Sequence, residues 1–123
     1  MTICFTVPGK PVSYKRNNHN FGQHQSFLPK KYRDYRSAVA IIAKSAMRGQ
    51  SYTVKPVSII VTAFCSIKHD SRQAGDIDNI LKSILDSLNG IFYKDDGQVI
   101  HAVIHKVKDK DNPRVEVIVT DEF

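Results

Sequence analysis

Asp76 and Asp78 stand two residues apart, directly after Gly75 and directly before a run with helical periodicity. On a helix, side chains at that spacing point nearly opposite ways, whereas in extended chain they point to the same side. A strand-to-helix junction here therefore aims both carboxylates at one spot. Hard divalent cations bind such oxygen clusters, and Mg²⁺ typically takes one or two carboxylates plus waters and substrate phosphate oxygens. Asp78, Lys82 and Asp86 follow at spacings of four, with Asn79 three before Lys82, so they form one polar stripe opposite an apolar one. Lys82 then sits one turn above the acidic pair, able to hold a carboxylate or to meet a phosphate and the charge that develops on it. Asp95 and Asp96 occur together in a turn some way on, and a chain returning there offers a third carboxylate.

Each of these residues has an ordinary structural reading as well. Asp78 is a common helix cap, Asp95-Asp96-Gly97 a common turn, and Lys82 and Asp86 an i,i+4 surface pair worth roughly 0.2–0.5 kcal/mol. Asp86 is left outside the catalytic set on that ground. A D-x-D pair with a divalent ion also serves glycosyltransferases, whose folds need far more chain than 123 residues. A nucleic-acid-binding module whose acids only cap and turn is the rival from another class. His101 and His105, on one face of a strand-like run, lack a third ligand at a suitable spacing, which argues against zinc.

Charge is unevenly distributed. The chain carries a formal charge of +6, and residues 1–50 hold nine Lys/Arg against the single acid Asp34. A basic half feeding a carboxylate-bearing half suits a polyanion held by cations and cut with bound metal. The segment from Gly9 to Pro29 reads as a long loop in which Lys10, Lys15 and Arg16 are interleaved with Tyr14, Phe21 and Phe27, a mixture that can neutralise phosphates and stack on bases. Lys10, Lys15 and Arg16 are the candidate DNA-binding residues.

The elements that must position these groups are few. Thr2–Val7 alternates as a first strand. From Pro29 to Gly49, Tyr32, Tyr35, Val39, Ile42, Ala43 and Ala46 mark an amphipathic helix. Val57–Ile67 reads as a central strand, and Ile80, Leu81, Ile84, Leu85 and Leu88 as a second helix that begins around Asp78-Asn79 and ends at Asn89-Gly90. Val99–Val107 and Arg114–Val119 read as strands joined through Asp109–Pro113 and expected to pair as a hairpin. The prediction is α+β: residues 1–123 as a single small domain, β-α-β-α-β-β, with a mixed four-stranded sheet and two helices. No apolar run approaches the roughly 20 residues of a membrane span. The start of the chain lacks a secretory pattern, so the expected location is cytoplasmic, with Cys4 and Cys65 as buried, reduced thiols.

The string GDIDNILKSILDSLNG (Gly75–Gly90), followed by YKDDGQV (Tyr93–Val99), resembles the signature of the RusA family of Holliday-junction resolvases, D-x-D-N-x-x-K-x-x-x-D-x-L, a short spacer, then D-D-x-Q-V. The opening PGKPV (Pro8–Val12), Arg16 and a basic Lys106 late in the third strand are similar to the family's pattern too. The resemblance implies that Asp76, Asp78 and Asp96 bind Mg²⁺, with Mn²⁺ a possible substitute, that Lys82 assists catalysis and that Asp95 supports Asp96. It further implies a homodimer acting on branched DNA, resolving a four-way junction by paired symmetric nicks through in-line hydrolysis. Endonucleases for other branched DNA share that pattern.

Overall fold

The computed structural model describes residues 1–14, 28–67 and 75–123. They form β1 (Thr2–Pro8), α1 (Lys30–Met47), β2 (Val57–Cys65), α2 (Ile77–Ser87), β3 (Val99–Lys108) and β4 (Arg114–Thr120), with a single 3₁₀ turn at Asp96–Gln98. The β-α-β-α-β-β order and the mixed four-stranded sheet agree with the sequence reading. Pro29 stands just outside α1 as its cap, in extended geometry that suits proline.

The pairing departs from expectation at one point. Strand order is β1-β4-β2-β3, with β2 and β3 parallel and β4 antiparallel to both β1 and β2. β3 and β4 are therefore not a hairpin, and β4 lies on the far side of β2. Burial explains the choice. Val115, Val117 and Val119 of β4 are all buried, a pattern suited to an interior strand, whereas β3 exposes Ile100, His101 and Ala102 and suits an edge. The Asp109–Pro113 segment, read locally as a hairpin loop, spans roughly 16 Å at about 3.3 Å per residue. That is enough to step over one strand at about 4.8 Å spacing. Asp109 N–H donates to the Cys65 carbonyl at 2.9 Å and ties the crossing to the end of β2.

Both helices pack on one face of the sheet. Ile3, Phe5 and Val7 of β1, Ile59 and Val61 of β2, and the three β4 valines meet Val39, Ala43 and Met47 of α1 and Ile80, Ile84 and Leu88 of α2 in one core. Among the described residues no helix covers the other face, and Cys4, Ile118 and Ile60 line up across it in register. Cys4 is therefore exposed, contrary to the expected burial, because position 4 falls on the outward side of a period-2 strand. Cys65 is buried as expected.

Two contacts fix the start of α2. Gly75 adopts φ +81°, a left-handed conformation, and a Cβ built there would lie 2.5 Å from both Cβ and Oγ of Ser13. Tyr14 N–H then donates to the Asn79 carbonyl at 2.8 Å, so the segment after β1 lies against the first turn of α2. Ile84→Ala, at a position with no solvent exposure, is expected to lower stability by about 2–5 kcal/mol in urea unfolding. Gly75→Ala combines left-handed strain of about 1–2 kcal/mol with a clash at Ser13. It is expected to lower the melting temperature and to shift the amide resonances of Ser13 and Tyr14, which an unstrained substitution would leave in place.

Candidate active site

The apolar side of α2 is locked into the core through Ile80, Ile84 and Leu88, so helical geometry turns Asp78, Lys82 and Asp86 away from it. α2 begins at Ile77, two residues earlier than the sequence pattern marks. Asp76, not Asp78, is the cap residue, extended at φ −78°, ψ 150°, while Asp78 lies in the first turn. The acidic pair thus straddles the junction instead of lying together in extended chain. Asp76 occupies the cap position without making the capping hydrogen bond. Both carboxylates are exposed, and among the described residues neither has a side-chain hydrogen-bond or ion-pair partner. Lys106, late in β3, donates from Nζ to the Gly75 carbonyl at 2.8 Å and braces the peptide immediately before the pair.

Lys82 stands one turn further on. Its Nζ is 3.7 Å from Oδ1 of Asp86 and 4.8 Å from the centre of the Tyr14 ring. The other oxygen of Asp86 accepts a 2.9 Å hydrogen bond from the hydroxyl of Tyr32, which is buried in the first turn of α1. Burial, and then this bond to the Asp86 carboxylate, push the Tyr32 hydroxyl well above the ordinary tyrosine range, so it remains a donor across the neutral range.

Asp95 and Asp96 enter from the other end of α2. Asp95 is a capping residue: its carboxylate accepts from Gly97 N–H at 2.8 Å. The Gln98 side chain completes a reciprocal box, accepting from the N–H groups of Lys94 and Asp95 at 3.0 and 3.1 Å. The Gln98 amide nitrogen donates to the carbonyls of Thr53 and Lys55 at 2.9 and 3.0 Å. Asp96 is left half-buried in the 3₁₀ turn without a capping role. Tyr93, just upstream, donates to the Leu85 carbonyl of α2 at 2.6 Å. Burial raises the Tyr93 hydroxyl, and the nearby charges of Asp96, Asp86 and Asp95 raise it further.

The acids are thus divided between the two ends of α2. Asp76 and Asp78 lie at its start, at the carboxyl end of β2, whereas Asp96 immediately precedes β3, at the amino end of the parallel pair. The expected return of the turn to the acidic pair does not occur, because a parallel crossover must carry the chain back along the sheet before β3 begins. Among the described residues no three His, Cys, Asp or Glu side chains form a ready metal-binding group. Lys82 occupies the helix between the two acidic ends.

Of the proposed DNA-binding residues, Lys10 is exposed, and Lys15 and Arg16 lie outside the described residues. The exposed bases Lys31, Arg33 and Lys44 extend the positive surface along α1. His101 Nδ1 shares a 2.8 Å hydrogen bond with Ser58 Oγ, an ordinary sheet contact. Sequence reasoning gave Gln98 no role beyond its place in the D-D-x-Q-V signature, read Tyr14 as a loop aromatic and Tyr32 as an apolar helix position, and set Asp86 aside. The D-D-x-Q spacing, which is that of a capping box, was a legible signal for Gln98. The contact between Tyr32 and Asp86 links residues 54 apart and had none.

Comparison with known proteins agrees with the geometry. The family model described as endodeoxyribonuclease RusA matches residues 8–120, which takes in the acidic pair, Lys82, the 3₁₀ turn and the whole sheet apart from β1, of which it includes only Pro8. The uncharacterized protein YqaN of Bacillus subtilis (strain 168) is 29% identical over 138 residues, covering 97% of this chain and 96% of YqaN. A chain matched from the end of its first strand to the end of its last belongs to the RusA family of endodeoxyribonucleases, nucleases of branched DNA junctions.

Proposed function

We propose that the protein is a Mg²⁺-dependent endonuclease that resolves four-way DNA junctions, acting as a homodimer. The observation that carries this reading is the exposed Asp76-Asp78 pair, which has no side-chain partner among the described residues: carboxylates at a helix start that do not cap it. The donor set fits a hard cation, since both groups are anionic oxygens and Mg²⁺ needs only one or two of them, with water and phosphate oxygens completing its shell. Asp76 and Asp78 would hold the ion at the start of α2, with Asp96 as a further carboxylate beyond Lys82. Bound there, Mg²⁺ would supply Lewis-acid stabilisation of the phosphate under attack.

The protein's own groups account for the remaining steps. Lys82 presents an ammonium one turn from Asp78, where it can meet a phosphate oxygen and the charge that builds on it. Gly75, Lys106 and the backbone of Tyr14 hold the first turn of α2, which fixes the direction of both carboxylates. Lys10 and the exposed bases of α1 bind the phosphates of the arms, a contact that weakens with salt. Two copies related by a twofold axis place two equivalent sites on a junction with two symmetric strands.

On a labelled four-way junction, a flap and a linear duplex, the protein is expected to nick the junction in symmetric pairs with Mg²⁺ and to do nothing in EDTA. Asp76→Asn and Asp78→Asn should each bind junction as well as the unsubstituted protein, or slightly better, and fail to cut. Lys82→Ala should cut about 100-fold more slowly. Tight junction binding without metal-dependent cutting would sink the nuclease reading and leave a structure-specific binding module. Cutting confined to the flap would reassign the substrate within branched DNA.

A further inference from the structure

We propose that Tyr32 and Tyr14 are positioning residues for Lys82, Tyr32 acting through the Asp86 carboxylate and Tyr14 through the face of its ring. This rests on the function proposed above, in which Lys82 meets the scissile phosphate. A lysine paired only with an acid four residues on gains roughly 0.2–0.5 kcal/mol and keeps most of its rotamer freedom. Lys82 has more than that pair. Its ammonium is bracketed by a carboxylate oxygen at 3.7 Å on one side and an aromatic face at 4.8 Å on the other.

Each bracket is itself held by a different segment of the chain. Tyr32 donates to Oδ2 of Asp86 and so sets the carboxylate's rotation, leaving Oδ1 turned toward Lys82. The Tyr14 ring meets the Tyr32 ring edge to face, with centroids 5.3 Å apart and planes at 87°, and its backbone is tied to the Asn79 carbonyl. The loop after β1, the first turn of α1 and the later half of α2 thus converge on one ammonium. At 3.7 Å the Lys82–Asp86 contact is an ion pair beyond hydrogen-bond length, so the three ammonium donors stay available to phosphate oxygens. Without the Tyr32 hydroxyl, Asp86 is free to turn both oxygens on Lys82 and compete with the phosphate for it.

The Tyr32 ring also fills space between the helices, so the hydroxyl has to be tested apart from the ring. Tyr32→Phe retains the ring, and Asp86→Asn retains an acceptor for the hydroxyl while removing the charge. With Mg²⁺ and a four-way junction, each is expected to lower kcat about tenfold, the order expected for a loosened catalytic group, and to leave KM within about twofold. An independent readout is the NMR position of the Lys82 ε-methylene, assigned by its loss in Lys82→Arg. The Tyr14 ring should move it upfield of the other lysines, and Tyr14→Leu and Tyr32→Phe should each return it toward them. Unchanged kcat in both variants, or a rise in KM matching the fall in kcat, overturns the proposal. So does a Lys82 signal at the exposed-lysine position in the unsubstituted protein. If Tyr32→Phe does not fold, Asp86→Asn and Tyr14→Leu carry the same comparisons. Should the unsubstituted protein cut no branched DNA, the functional reading fails separately, and the ring-current shift alone decides whether Lys82 is held.

Discussion

The parallel pairing of β2 with β3 is the constraint from which the rest of the molecule follows. Parallel neighbours cannot be joined by a tight turn, so a crossover element must return the chain along the sheet, and α2 is that element. Its direction is then settled: its start faces the carboxyl end of β2 and its finish leads to the amino end of β3. Asp76, Asp78, Lys82 and Asp86 lie on α2 or at its start, and Asp96 lies on the turn that leads from its finish into β3. The crossover also leaves β2 with a free second edge, which β4 occupies, making β2 and β4 the two interior strands.

Precision at the site comes from small polar contacts laid over that framework. Gln98 bonds to two backbone amides of its own turn and to two carbonyls of the segment before β2, so the turn carrying Asp96 is fastened to a neighbouring element. Lys106 and Ser13 do the corresponding work at the other end around Gly75, where only glycine fits both the backbone angle and the available space. Asp95 illustrates the difference between the two acids of the second pair. Its carboxylate is committed to a cap, whereas that of Asp96, the next residue, is not. Charge has a complementary distribution, with exposed bases along α1 and exposed acids at the start of α2, so the two signs are separated on the surface.

Much of this architecture was legible in the linear pattern, since it follows from periodicities that survive in any context. The three-and-four spacing of Ile80, Ile84 and Leu88, and the alternation of Val115, Val117 and Val119, each match what the structure buries. The grouping of Asp76, Asp78 and Lys82 at one helix start is likewise a matter of short sequence separation. Boundaries were less legible: α2 begins at Ile77 because Asp76 already adopts cap geometry, a backbone property that the apolar spacing does not report.

What the sequence determined by itself was element type, the order β-α-β-α-β-β, the apolar faces and the family signature, all properties encoded within a few residues of one another. Tertiary structure alone decided that β4 crosses β2 instead of folding back on β3, and that Cys4 faces out. It also decided that Asp96 lies at the opposite end of α2 from Asp76, and that the Tyr14 ring meets Lys82 while Tyr32 holds Asp86. These outcomes depend on which strand edges are free and on side chains brought together from positions distant in the chain. The competition between alternative pairings is settled by total buried apolar surface, a sum over the whole molecule to which no local window has access.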